Sequence, residues 1–156
     1  MRVEYINPFV ESTFNVLKEV LNVEVKRGDL YLKEAAMHIM GVAALVGLAG
    51  DVEGRVLFDM SHDTALKIAE AMNEEKFTSF NDMAKATITE LANMITAQAV
   101  TKLHDLGFKF DLTPPALFSG ENMEISNTFN IEALIVPMDL GDIGKFEVNV
   151  LIRERI

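Results

Sequence analysis

A carboxylate and a carboxamide three residues apart on a helix share one face and can act on the same external group. The amide both donates and accepts hydrogen bonds, so it can hold a water molecule in line for attack. The carboxylate can accept a proton or pair with a cation. Glu-x-x-Asn occurs at Glu4/Asn7, Glu19/Asn22, Glu70/Asn73, Glu90/Asn93 and Glu124/Asn127. Local pattern separates these pairs. Glu4/Asn7 reads as straddling a helix cap, because Asn7-Pro8 has the form of a helix start. Glu19/Asn22 and Glu70/Asn73 fall where helices fray and Asn is an ordinary terminator. Glu124/Asn127 falls in a polar loop. Only Glu90/Asn93 lies inside a long helical pattern, where Asn has poor propensity and no capping role. Neither residue is a good nucleophile there. Such a pair suits help given to a reaction whose electrophile and metal belong to another molecule.

The helix that must carry the pair runs from about Asn81 to Leu106, with Gly107 in the usual stop position. At 100° per residue, Ala84, Ile88, Leu91, Ile95, Ala99, Lys102 and Leu106 form the core stripe, Lys102 snorkelling near its end. The opposite side carries Asp82, Ala86, Glu90, Asn93, Ala97, Val100 and His104. Ala86 and Ala97 are small, so another surface can approach Glu90 and Asn93 closely. Asp82, Ala86 and Ala97 are therefore candidate partner contacts. His104 lies about 16 Å beyond Asn93 along the axis and reads as a rim residue. His38 and His62 read as loop and cap-region residues.

Around this helix the chain alternates between helical and extended patterns. Phe9, Val10, Phe14, Leu17, Val20 and Leu21 recur at helical spacing and end near Asn22. Val23 to Tyr31 is a weak strand with a turn at Arg27-Gly28-Asp29. Gly41 to Ala49 and Arg55 to Met60 read as a hairpin around the Gly50–Gly54 turn cluster. Ser61 or Asp63 caps a second helix that ends near Asn73. Strands follow over Lys109–Leu117, broken by Pro114-Pro115, then Thr128–Pro137 and Lys145–Arg153. The double Pro marks an edge, bend or exit. The element order reads as one helix and about three strands, twice, joined by the middle helix. Strand runs bracketed by helices point to an α+β fold.

The chain has 156 residues, which favours a single domain over 1–156. It has no Cys, which excludes a disulfide framework, a thiolate zinc site and a cysteine nucleophile. A formal charge of −10 repels phosphate backbones, so no nucleic-acid partner is expected. The longest apolar run, Met40 to Ala49, is too short to span a bilayer. With no signal-peptide pattern, the reading is a cytoplasmic protein without a membrane partner. Gly-x-Ser-x-Gly, a phosphate-binding Gly-rich loop with Lys, and His-Glu-x-x-His are all absent.

Glu90-Leu91-Ala92-Asn93-Met94, Leu106-Gly107, Leu112-Thr113-Pro114-Pro115 and Ser119-Gly120 together resemble the CheC/CheX/FliY family of chemotaxis phosphatases, and its CheX branch in particular. The Val42–Phe58 hairpin and the helix start Asp63-Thr64-Ala65-Leu66-Lys67 share the resemblance, which covers most of the chain. It implies a largely antiparallel sheet with two long helices packed on it, and an enzyme that hydrolyses the aspartyl-phosphate of a CheY-type response regulator. It implies that Asn93 orients the attacking water and that Glu90 contacts the regulator's active-site Lys. It also implies that Mg²⁺ is held by the regulator, with no cofactor on this chain, and that the chain is a homodimer. Some members carry Ser or Asp where this chain has Ala86. The first helix offers Glu11 and Asn15 at the wrong spacing, so one active site per chain is expected. The rival reading is a non-catalytic regulator-binding or flagellar-switch adaptor of the same fold.

Overall fold

The computed structural model describes residues 3–33, 36–127 and 131–155. Helix α1 spans Val3–Leu21 and is followed by short strands β1 (Lys26–Arg27), β2 (Tyr31–Lys33) and β3 (Met37–His38). The hairpin β4 (Gly41–Gly50) and β5 (Val52–Ser61) leads into helices α2 (His62–Asn73) and α3 (Asp82–Asp105). Then come β6 (Phe110–Leu112), β7 (Ala116–Ser119), β8 (Glu124–Ile125), β9 (Ala133–Asp139), a 3-10 turn at Gly141–Ile143 and β10 (Lys145–Glu154). The fold is α+β. Every pairing in the described sheets is antiparallel.

The main sheet runs β1-β9-β10-β5-β4-β6, with β2 also on β9 and β7 also on β4. Even-numbered positions of its long strands, among them Val42, Ala44, Val56, Phe58, Val136, Val148 and Val150, face the three helices and form the core. The other face is covered too: Ala43, Leu57 and Ile39 pack with Leu45, Met123 and Ile125 around the small β3–β8 sheet. Burial on both faces explains why Gly41–Ala49 reads as a continuous apolar run rather than an alternating one.

Helix α1 begins at Val3, not at Asn7-Pro8, and Pro8 is buried inside it. An internal Pro costs about 3 kcal/mol. Tyr5 and Ile6, in the turn before it, are buried, and Tyr5 packs edge-on against Phe108 at 4.9 Å. Burying two large side chains recovers about 1.5–3 kcal/mol each, enough to hold that turn helical. The helix stops at Asn22, left-handed at φ 52, whose N–H donates to the Lys18 carbonyl at 3.1 Å.

Helix α3 starts at Asn81, whose side-chain oxygen accepts the Ala84 N–H at 2.9 Å. It stops where Gly107 turns left-handed at φ 93. The Gly107 N–H then reaches the His104 carbonyl and the Phe108 N–H the Leu103 carbonyl, a Schellman closure. That turn carries Leu106 out of the expected stripe to 57% exposure, and Leu103 is the buried residue instead. Lys102 snorkels as expected and meets Glu11 of α1 at 3.2 Å.

The two halves repeat more fully than one helix and three strands. Each has a long helix, two short strands, a bridging strand and a hairpin. The short strands interlock: β1 and β2 pair β9 of the other half, while β6 and β7 pair β4. Lys109–Leu117 is therefore two strands, β6 and the start of β7, and Pro114-Pro115 lies in the gap between them. Strand β9 begins at Ala133. Residues 128–130 lie outside the described residues, and Pro137 sits within the strand. The Pro137 carbonyl accepts the Gly28 N–H at 2.8 Å. Its nitrogen points the same way, into the break between β1 and β2, where no ladder bond is lost.

Candidate active site

Asp82, Ala86, Glu90, Asn93 and Ala97 all lie on the solvent face of α3, opposite buried Ala84, Ile88, Leu91, Ile95 and Ala99. Glu90 and Asn93 sit one turn apart at mid-helix, where the backbone is already paired and contributes no free groups. Neighbouring hydroxyls turn inward to the helix: Thr89 donates to the Lys85 carbonyl at 3.0 Å and Thr96 to the Ala92 carbonyl at 2.8 Å. Among the described residues, no side chain hydrogen bonds to the Asn93 amide or the Glu90 carboxylate. Both groups therefore keep their full capacity for an outside molecule.

Other Glu-x-x-Asn pairs hold the fold together. Asn73 donates to the Ala69 carbonyl and to Thr87 Oγ1 at 2.8 Å, tying α2 to α3, while Glu70 accepts the Phe77 N–H. Asn22 ends α1. Asn127 donates to the Ile131 carbonyl at 2.7 Å. Glu4 and Asn7, read from sequence as a cap, lie within α1 and are exposed.

His104 is exposed and stands edge-on to the Phe110 ring at 5.4 Å, away from the pair. His62 is the first residue of α2, and His38 sits in β3 rather than a loop, 3.9 Å from Glu124. No three described His, Asp or Glu residues are grouped so as to hold a metal ion. The sequence reading missed Met83. It is exposed, and it lies two turns before Glu90 on the same side of α3. Its signal was an apolar residue off the core stripe, in a position where a flexible thioether offers an adaptable contact.

The sequence profile of the chemotaxis phosphatase CheX family matches residues 42–139, more than half of the chain. The chain belongs to the CheX family. The CheY-P phosphatase CheX of Thermotoga maritima is 29% identical over 131 residues, 81% of this chain and 83% of the relative. A CheX from Borrelia burgdorferi, solved as a CheX-CheY-BeF3-Mg²⁺ complex, is 46% identical and superposes with a TM-score of 0.85 over 98% of this chain and 100% of that one. A CheC-like superfamily protein from Shewanella sp. PV-4 is 30% identical, with a TM-score of 0.89 over 98% and 99%. The matched region holds the main hairpin and all of α3, so the CheX fold places the Glu90/Asn93 face on its longest helix. No helix among the described residues is long and apolar enough to cross a membrane.

Proposed function

We propose that this chain is a phosphatase acting on the aspartyl-phosphate of a CheY-type response regulator. The observation that carries the reading is the unpartnered Glu90–Asn93 pair on the open face of α3, in a member of the CheX family. Asn93 binds the attacking water through its amide and sets it in line with phosphorus. The water oxygen bonds to phosphorus, the bond from phosphorus to the aspartyl oxygen breaks, and that electron pair leaves as the regulator's carboxylate. The water proton passes to the phosphoryl group, giving inorganic phosphate. Glu90 meets the regulator's active-site Lys, a charge-assisted contact that fixes the docking register. Asp82, Ala86 and Ala97 line the approach, and the two Ala side chains let the regulator's surface come close. Mg²⁺, held by the regulator, neutralises phosphoryl charge. The donor set of this chain fits that division, since it brings an amide and a lone carboxylate to the reaction. The chain acts in the cytoplasm as a single domain over 1–156, and as a homodimer.

Phosphate release from a purified CheY-type regulator charged with acetyl phosphate tests the reading. Asn93→Ala is expected to lower the accelerated rate by about 10², with the circular dichroism of the fold unchanged. A folded Asn93→Ala protein with the full rate rejects it. Tight binding of the charged regulator by wild-type protein without any acceleration leaves the adaptor role instead.

A further inference from the structure

Strand β5 carries a buried cation that the described residues leave without a counter-charge. Arg55 alternates with the core residue Val56, so it points to the sheet face turned away from α3. It is only 9% exposed. Its cross-strand partners, Gly47 on β4 and Leu151 on β10, bring no charge. The Glu53 carboxylate, two residues back, is taken by Arg153 at 2.8 Å. Asp59, four residues on and beyond Leu57, accepts the Met40 N–H. Burial pulls the Arg55 guanidinium below its ordinary range, and no carboxylate offsets it. Its Nη1 donates to the Ser126 carbonyl at 2.6 Å, while its Nε has no hydrogen-bond partner among the described residues.

Asn149 on β10 stands beside it. Leu57 pairs Asn149 and Arg55 pairs Leu151. Arg55 and Asn149 are therefore diagonal neighbours on one face of the sheet, within reach of a long side chain. Asn149 is fully buried, and neither its Nδ2 nor its Oδ1 has a hydrogen-bond partner among the described residues. Buried polar groups are costly when left unmade, and a buried cation without a counter-charge more so.

We propose that Arg55 and Asn149 form a binding site for a small oxyanion that carries a hydroxyl, of the class of hydrogen phosphate. With Nη1 on Ser126, the Nε and Nη2 side of the guanidinium fork is left to grip two oxygens of a tetrahedral anion in parallel. The Asn149 Nδ2 donates to a third oxygen. Its Oδ1 can only accept, so it requires a donor from the ligand, which the phosphate hydroxyl supplies and chloride lacks. Leu57 and Leu151, both fully buried, exclude water around the pair and strengthen each contact. One anion there answers the charge on Arg55 together with its Nε and both ends of the Asn149 amide. Through the Ser126 carbonyl, Arg55 then ties the segment after β8 to the main sheet. The site lies across the sheet from α3 and stands apart from the roles of Glu90 and Asn93.

Thermal melts of the full chain in inorganic phosphate, against chloride at equal ionic strength, test the site. Phosphate at about ten times its dissociation constant is expected to raise the Tm by about 4 °C, and equilibrium dialysis to find one phosphate per chain. Asn149→Leu is close in volume and lacks the amide. Arg55→Lys keeps the charge and loses the fork. Each is expected to lose the shift, and Asn93→Ala to keep it. Asn149→Leu removes an orphaned buried amide, so it decides the matter should Arg55→Lys fail to fold. Equal Tm in the two salts means that these atoms meet only water, and overturns the site. So does a shift that survives Asn149→Leu, which places phosphate elsewhere, or one that is lost in Asn93→Ala, which places it on α3. The rate of receiver dephosphorylation, which tests Glu90 and Asn93, enters neither measurement.

Discussion

Asp59 is a carboxylate that the fold buries, and among the described residues no ion pair joins it to a cation. It lies on β5, on the sheet face turned away from the long helices, and is 1% exposed. Burial pushes its carboxyl up to about 6 from 3.8, and Glu147 on β10 adds repulsion, while the Met40 N–H, donating at 3.0 Å, pulls the other way. Tyr31 on β2 faces the same cluster. Its hydroxyl donates to Glu147 at 2.9 Å and is pushed up to about 12, chiefly by burial. The sign follows from proton counting. Folded Asp59 binds its proton more tightly than the unfolded chain does, so its contribution to stability is full below about pH 4 and lost as pH rises through about 6. Asp59→Asn keeps an oxygen for the Met40 N–H and removes the charge. It is expected to raise the Tm at pH 8, give no gain at pH 4, and flatten the fall in Tm between them. Thermal melts across that range check it, and equal pH dependence in both proteins counts against the assignment.

The helix that carries the candidate site is fixed at both ends by local chemistry, and this is what made it legible. The Asn81 side chain starts α3 and the left-handed Gly107 backbone ends it, each within about a residue of the boundary read from sequence, so the angular positions of Glu90 and Asn93 were legible there. Asn81→Ala is expected to cost about 1 kcal/mol by freeing the Ala84 N–H. Urea denaturation should show a lower midpoint with an unchanged slope, and an unchanged midpoint would mean that the cap contributes nothing. Elsewhere tertiary burial overrode the local signal. Asn7-Pro8 has every mark of a helix start, yet Tyr5 and Ile6 bury into the core and carry the helix past it, which hid the place of Glu4 and Asn7. Leu106 fits the apolar stripe by angle, but the Schellman turn swings it out. The short strands β1, β2, β6 and β7 were blurred because each pairs with the opposite half, a contact that no local window contains. The apolar Gly41–Ala49 run was identifiable as a strand through its Gly residues and following turn, even though both of its faces are buried.

At the scale of the whole molecule, the interlocked repeat leaves the main sheet with short strands at both edges. Strand β2 on one side is short but largely apolar, with Tyr31 and Leu32 exposed, Leu32 at 58%, and Leu30 just before the strand at 54%. Strand β7 on the other side exposes Phe118. Unpaired backbone with apolar side chains invites a second strand, and Lys33 is the one Lys on these two short strands to oppose it. If the chain is a homodimer, this edge is where joining is expected, through β2 and the exposed Leu30, Tyr31 and Leu32. That arrangement keeps α3 clear, because the long helices cover one face of the sheet rather than its edge, so each chain still offers Glu90 and Asn93 to a regulator. Sedimentation at micromolar concentration should return twice the 17.3 kDa of one chain. Leu32→Lys places a charge on the edge and is expected to return the single-chain mass while keeping the phosphatase rate, since it touches neither α3 nor its supports. A wild-type mass of one chain rejects the dimer, and a Leu32→Lys protein that stays dimeric moves the interface away from β2.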